Sequence, residues 1–224
     1  MLKYACVENL MIAISNDMQR GKERNLMSKK LKELFEKITT NILNAIAECA
    51  DIDKCRVEYM KDIISRVEIF SGDENPDIKD FFVKIIPTVQ ENILFLRVQL
   101  YMPKTEESRL FISALYHEIM HILSVGRIQV VSQTEFFYKC GLCVSKIFVK
   151  DGKLFDKSTN ELEKFNEALT DICAEYFYNI FEKDKYCAKH FINPIMRMCN
   201  CSKVEKYKNL IIPYVLNDED TIRN

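Results

Sequence analysis

Two of the three histidines in the chain flank a glutamate in His117-Glu118-Ile119-Met120-His121, an H-E-x-x-H pattern. On a helix, positions i and i+4 lie one above the other, so both imidazoles can reach a single zinc ion at about 2.0–2.1 Å. Glu118 then points beside the ion, where it can take a proton from a water that the metal activates. The neighbours Leu115, Ile119, Met120, Ile122 and Leu123 are uncharged, as a buried metal-bearing helix requires. A catalytic zinc takes three protein ligands and keeps one position for water, so a third ligand has to come from elsewhere in the chain. Asn166-Glu167-Ala168-Leu169-Thr170-Asp171 offers it, because Glu167 and Asp171 are again spaced i and i+4. One of the two carboxylates can bind the metal while the other accepts a hydrogen bond from the free ring nitrogen of a histidine ligand.

Together these two blocks resemble the gluzincin metallopeptidases, among them the thermolysin family. The resemblance implies that His117, His121 and Glu167 hold Zn2+, that Glu118 is the general base, and that Asp171 orients a histidine. It covers about residues 110–126 and 160–180. The 45 residues between His121 and Glu167 exceed the short spacing of thermolysin itself, so the implied structure is a compact zincin-like core without thermolysin's two-domain build. The implied activity is hydrolysis of a peptide or protein substrate. Its tetrahedral intermediate needs a hydrogen-bond donor opposite the metal, for which His190, Tyr186 and Tyr178 are candidates. Gluzincin-like enzymes hold the substrate main chain against an edge strand by β-augmentation, and residues 93–101 are the candidate strand. Two other readings share the motifs. One is a non-hydrolytic regulatory or binding protein on the same scaffold; the other is a regulatory protease resembling the ImmA and IrrE group. The second block fits the thermolysin-like pattern better, and no helix-turn-helix module is evident.

Hydrophobic periodicity predicts the elements that must position these residues. Leu31, Leu34, Phe35, Ile38, Ile42 and Ile46 recur at steps of three and four within 25–50, the period of an amphipathic helix. A weaker helical stretch follows at about 56–70, then a loop by composition at 71–76. Residues 81–86 and 93–101 are aromatic and β-branched, interrupted by Pro87 and Pro103, and predict two strands. Thr105 is the expected N-cap of the H-E-x-x-H helix, which runs through Leu123 to a stop at Gly126. Residues 136–156 predict a hairpin around Asp151-Gly152. Ser158-Thr159-Asn160-Glu161 then caps a helix reaching about Phe181, and the last 40 residues read as helical before a polar tail. The expected fold is α+β: a single domain over 1–224, with an N-terminal helical region at 1–75 and a catalytic core at 76–224. In that core a small mixed sheet packs on the H-E-x-x-H helix, and the C-terminal half is helical.

Composition bounds what this domain can be. The 224 residues are 48% hydrophobic and 29% charged, enough to bury a real core. Only 5 Gly and 5 Pro disfavour a many-stranded β architecture. Lys plus Arg (32) nearly cancel Asp plus Glu (33), which leaves no global attraction for nucleic acid. The mixed-charge stretch from Arg20 to Lys37 reads as a solvated helix face. The first residues do not read as a signal peptide, and no apolar run approaches the roughly 20 residues of a membrane span, so a cytoplasmic protein without a membrane partner is expected. The nine cysteines are then mostly free thiols. Cys140-Gly141-Leu142-Cys143 is a C-x-x-C, but Cys199-Asn200-Cys201 does not match a second zinc knuckle and no thioredoxin-like pattern surrounds the first pair. Packing cysteines are the expectation.

Overall fold

Helix α1 (Lys29–Ala47) buries Leu31, Phe35, Ile38, Ile42 and Ile46 along one stripe, as the period predicts. The computed structural model describes residues 29–48, 54–90, 93–105, 108–132, 134–150, 153–159, 162–182, 185–187 and 214. Helix α2 (Lys54–Ser65) adds Val57, Met60 and Ile63 to the same core. The weak helical pattern is expected to continue to 70, yet α2 ends at Ser65 and residues Glu68–Ser71 form strand β1. Ile69 and Ser71 face inward while Glu68 and Phe70 do not. Four residues are too few to display a period, so a strand this short is hidden behind the preceding helix.

Strands β2 (Phe82–Gln90) and β3 (Ile93–Met102) form an antiparallel hairpin, and β1 pairs in parallel with the end of β3, from Glu68 opposite Gln99 to Ser71 opposite Met102. The order is β1-β3-β2. The strand expected at an edge, 93–101, is therefore the central one, and β2 lies at an edge. Pro87 explains the placement: it has no N–H to give a second neighbour, which confines its strand to an edge. Leu96, Val98, Leu100 and Met102 of β3 point into the core. On the opposite face Phe70, Tyr101 and Phe82 stack across the three strands, with centroids 4.8 and 4.3 Å apart.

Helix α3 (Arg109–Leu123) carries the H-E-x-x-H block and is capped at both ends by groups other than those the sequence suggests. Ser108 is the N-cap, its hydroxyl accepting the Phe111 N–H at 3.2 Å; the Thr105 hydroxyl instead bonds Asp73 in the loop after β1. At the other end Ser124 is the C-cap, ahead of Gly126. Arg56 of α2 donates one N–H to Val125 O and another to Leu123 O, both at 2.8 Å. Its guanidinium also lies over the Tyr59 ring, whose hydroxyl donates to Gly126 O at 3.0 Å. A half-buried cation thus satisfies carbonyls at and just beyond the C-terminus of α3, where a helix leaves them unpaired.

Beyond α3 the expected hairpin is part of a four-stranded antiparallel meander: β4 (Gln129–Val130), β5 (Glu135–Cys140), β6 (Cys143–Lys150) and β7 (Lys153–Thr159). Ser158 and Thr159, read as a helix cap, lie in β7 opposite Ser145 and Val144. Helix α4 (Glu163–Phe181) begins later, with Leu162 at the N-cap, and packs along α3. The helical character expected of the last 40 residues falls outside the described residues, apart from Lys185, Tyr186, Cys187 and Tyr214. The described residues thus form an α+β fold of four helices and two small sheets, in which no helix is long and apolar enough to cross a membrane. Replacing Arg56 by Met leaves two buried carbonyls without donors and should cost about 2–4 kcal/mol of stability in chemical denaturation, with Lys recovering only part of it. An unchanged midpoint for Arg56→Met would show that α3 does not depend on this clamp.

Candidate metal centre

His117 and His121 lie one turn apart on α3, and Glu167 and Asp171 one turn apart on α4. Packing of the two helices brings all four together. His117 Nε2 is 3.1 Å from Glu167 Oε2 and 3.1 Å from His121 Nε2, and His121 Nε2 is 3.3 Å from Glu167 Oε2. The group His117, His121 and Glu167 could hold a metal ion. Two donors about 2.05 Å from a tetrahedral ion stand about 3.3 Å apart, so the triangle has the edge lengths of such a coordination shell.

The proton inventory agrees. His117 Nδ1 lies 2.8 Å from Asp171 Oδ1, and a carboxylate only accepts, so the ring proton sits on Nδ1 and Nε2 presents a lone pair. That lone pair, the Glu167 carboxylate and the His121 nitrogen all face one point. Burial opposes a charged His121, but hydrogen bonding to Cys140 and Glu167 outweighs it and raises the imidazole to about 10. Glu167 is correspondingly held well below the usual carboxylate range: burial works against its charge, and its interactions with His117 and His121 prevail. The histidine and carboxylate donors suit zinc in kind and number. The side chain of His117 is fully buried, whereas those of His121 and Glu167 are 12% and 26% exposed, which leaves one side of the cluster accessible.

Behind the cluster, Asp171 is completely buried and accepts a second hydrogen bond on Oδ1 from the Tyr186 hydroxyl at 2.7 Å. Burial and the Asp171 charge both push the Tyr186 pKa upward, so the phenol stays protonated and keeps donating. Tyr186 is one of the candidates to stabilise a substrate oxyanion; its hydroxyl is committed to Asp171 instead. Tyr178, another candidate, is 2% exposed and packs its ring against those of Tyr116 and Tyr186. His190 lies outside the described residues. Glu118 is 3% exposed and close enough to Tyr186 for its charge to raise that hydroxyl.

The remaining polar residues of the second block do structural work that their spacing alone does not reveal. Asn166 Oδ1 accepts the Leu142 N–H at 2.7 Å and the Tyr214 hydroxyl at 3.1 Å. The Thr170 hydroxyl donates to Asn166 O at 2.8 Å and lies 2.6 Å from Tyr214 Oη. These bonds tie α4 to the β5–β6 turn, which is itself tied to α3 by Gly141 N–H to Ser124 O at 3.1 Å and Gly126 N–H to Lys139 O at 2.7 Å. Gly141 has φ +58°, and a Cβ there would collide with Asn166 Oδ1 and Tyr214 Oη. Only glycine fits between α3 and α4 at this point. The pairing of Asn166 with Thr170 at i and i+4 on an otherwise apolar face is the one sequence signal that could have flagged this network.

A cleft of about 610 Å3 runs along the N-terminal half of α3, lined by Phe81, Leu110, Phe111, Ala114 and Cys187 among others. Ala114 is one turn before His117, and Cys187 follows Tyr186 directly, so the cleft occupies the turns of α3 that precede the cluster. No protein-family model matches the chain, and no curated protein or solved structure matches it.

Asp171→Asn should weaken Zn2+ binding about 10- to 100-fold in a chelator competition, and Tyr186→Phe by a smaller factor. Because a metal ion must displace the proton that His121 holds up to about 10, affinity should rise steadily as the pH is raised through neutrality. A flat profile would remove His121 from the ligand set.

Proposed function

We propose that this protein is a zinc-dependent metallopeptidase with a gluzincin-like, compact zincin core, using His117, His121 and Glu167 to hold the ion. The observation that carries this reading is the triangle of donor atoms 3.1–3.3 Å on a side, with Glu118 buried on the same helix directly after His117. A structural zinc site has no use for such a base and closes its fourth position with a protein ligand.

In this reading zinc, when bound, polarises the scissile carbonyl and lowers the pKa of water. Glu118 accepts the proton of the attacking water and returns it to the leaving amine. Asp171 fixes the tautomer and ring orientation of His117, and Tyr186 fixes Asp171. The substrate main chain lies along β2, the edge strand that packs against α3, where open backbone groups can extend the sheet by one strand. The cleft walled by Phe81, Phe111 and Ala114 suits an apolar side chain of that substrate. The absence of a net basic charge argues for a peptide or protein substrate over nucleic acid, in a cytoplasmic setting consistent with free thiols.

The test is a pair of variants assayed for zinc content by elemental mass spectrometry and for cleavage of a peptide library. Glu118→Gln should retain about one zinc per chain and lose about 10²- to 10⁴-fold in hydrolysis, whereas Glu167→Ala should lose the metal. Equal metal loss in both would contradict the assigned roles. Stoichiometric zinc in a wild type that cleaves no peptide in the library would favour the non-hydrolytic reading.

A further inference from the structure

Three aromatic rings cross the outer face of the first sheet in one row. Phe70 of β1 lies opposite Tyr101 of β3, and Tyr101 opposite Phe82 of β2. The rings stack nearly parallel, with centroids 4.8 and 4.3 Å apart, close to the spacing of about 4.7–4.9 Å between paired strands. The row closes at one end on the half-buried Phe70, but at the other end Phe82 is 45% exposed. Lys84 is exposed two residues further along on the same face, while Val83 and Ile85 pack inward. Among the described residues β3 is the only strand paired with β2. Residues of an antiparallel strand turn their main-chain groups alternately toward the partner and away from it. Pro87 has no N–H, and the Ile85 carbonyl accepts the Tyr138 hydroxyl at 3.5 Å; both belong to the outward-turned set, and so does Val83. The open stretch of the edge is therefore the one that carries Phe82 and Lys84.

An unpaired edge that carries an exposed ring is a template for another strand. A strand added to β2 sets one residue opposite Phe82 and another, two positions away, opposite Lys84, both on the outer face. At strand spacing, an aromatic side chain in the first position becomes a fourth rung, stacked on the open side of Phe82. A carboxylate in the second position meets the Lys84 ammonium. We propose that the substrate is a peptide segment selected by these two side chains: an aromatic residue that extends the ladder over Phe82, and an acidic residue two positions from it that pairs with Lys84. The inference rests on the peptidase reading above, which lays the substrate along β2. The residue between the two points to the opposite face, toward α3, so the two faces of the edge strand read alternate residues of one extended segment.

The experiment profiles cleavage by the full chain in the presence of Zn2+ on a positional-scanning peptide library, then measures kcat/KM on matched peptides that differ only at the two selected positions. Wild type should favour Phe or Tyr over Leu at one position by about 2- to 12-fold, the range of one aromatic pair. Two residues away it should favour Asp or Glu over Lys by up to about 5-fold. Phe82→Leu should abolish the aromatic preference and leave the acidic one, whereas Lys84→Glu should turn the acidic preference into a basic one and leave the aromatic. Each value is a ratio within one enzyme, so a general loss of folded protein or activity cancels. An active wild type without the paired preferences, or either preference unchanged in its variant, would overturn the proposal while the peptidase stands. Edge-to-edge pairing of two copies is the competing occupant: a dimeric wild type beside a monomeric Phe82→Leu in sedimentation equilibrium would overturn the proposal too. Wild type that cleaves no peptide with Zn2+ present would overturn the peptidase reading, and this inference with it.

Discussion

Three lone pairs aimed at one point repel one another unless a cation sits among them, and the α3–α4 contact is built around that constraint. His117, His121 and Glu167 converge from two helices whose sequences are separated by a four-stranded meander. Such a cluster is expensive to bury without compensation. Charge answers that cost: hydrogen bonding favours a proton on His121, and a metal ion is what the three donors could hold in its place. Asp171 extends the same logic outward, since a fully buried carboxylate persists only while His117 and Tyr186 donate to it. Polar groups are thus arranged in shells, each satisfied by the next.

The rest of the fold keeps the two helices in register. Arg56 holds the C-terminal end of α3, and the β5–β6 turn locks onto that end and onto Asn166 of α4. The meander is therefore more than an insertion between two motif blocks. Its β5–β6 turn is the wedge that sets the spacing between the helices, and Gly141 is the residue that lets the backbone enter so tight a gap.

Much of this was legible from residue spacing, and what was not has identifiable causes. Helical i and i+4 geometry is rigid, so His117 with His121 and Glu167 with Asp171 could be placed on common faces before any coordinates. The apolar stripe of α1 was equally plain. Tertiary partners were not: both Thr105 and Ser108 can cap a helix, and the Thr105 hydroxyl is taken by Asp73, 32 residues away. Ser158 and Thr159 resemble a cap, but pairing with β6 prevails over local preference. Strand order was hidden as well, although Pro87 carried the information that β2 belongs at an edge. The commitment of the Tyr186 hydroxyl to Asp171 had no sequence signature, because an aromatic residue 15 positions beyond its partner reads equally well as core.

The position of Tyr214 bears on timing during synthesis. Its hydroxyl sits between Thr170 and Asn166 in a fully buried spot, although it follows them by 44 and 48 positions. A nascent chain that has emerged only as far as α4 already contains all three candidate ligands, yet lacks the phenol of Tyr186 that steadies Asp171 and the phenol of Tyr214 that closes the gap beside Gly141. Translation at about 5–20 residues per second adds the missing segment within seconds. For those seconds His117, His121 and Glu167 exist without the hydroxyls that brace Asp171 and Asn166, so the arrangement of the proposed centre is completed late.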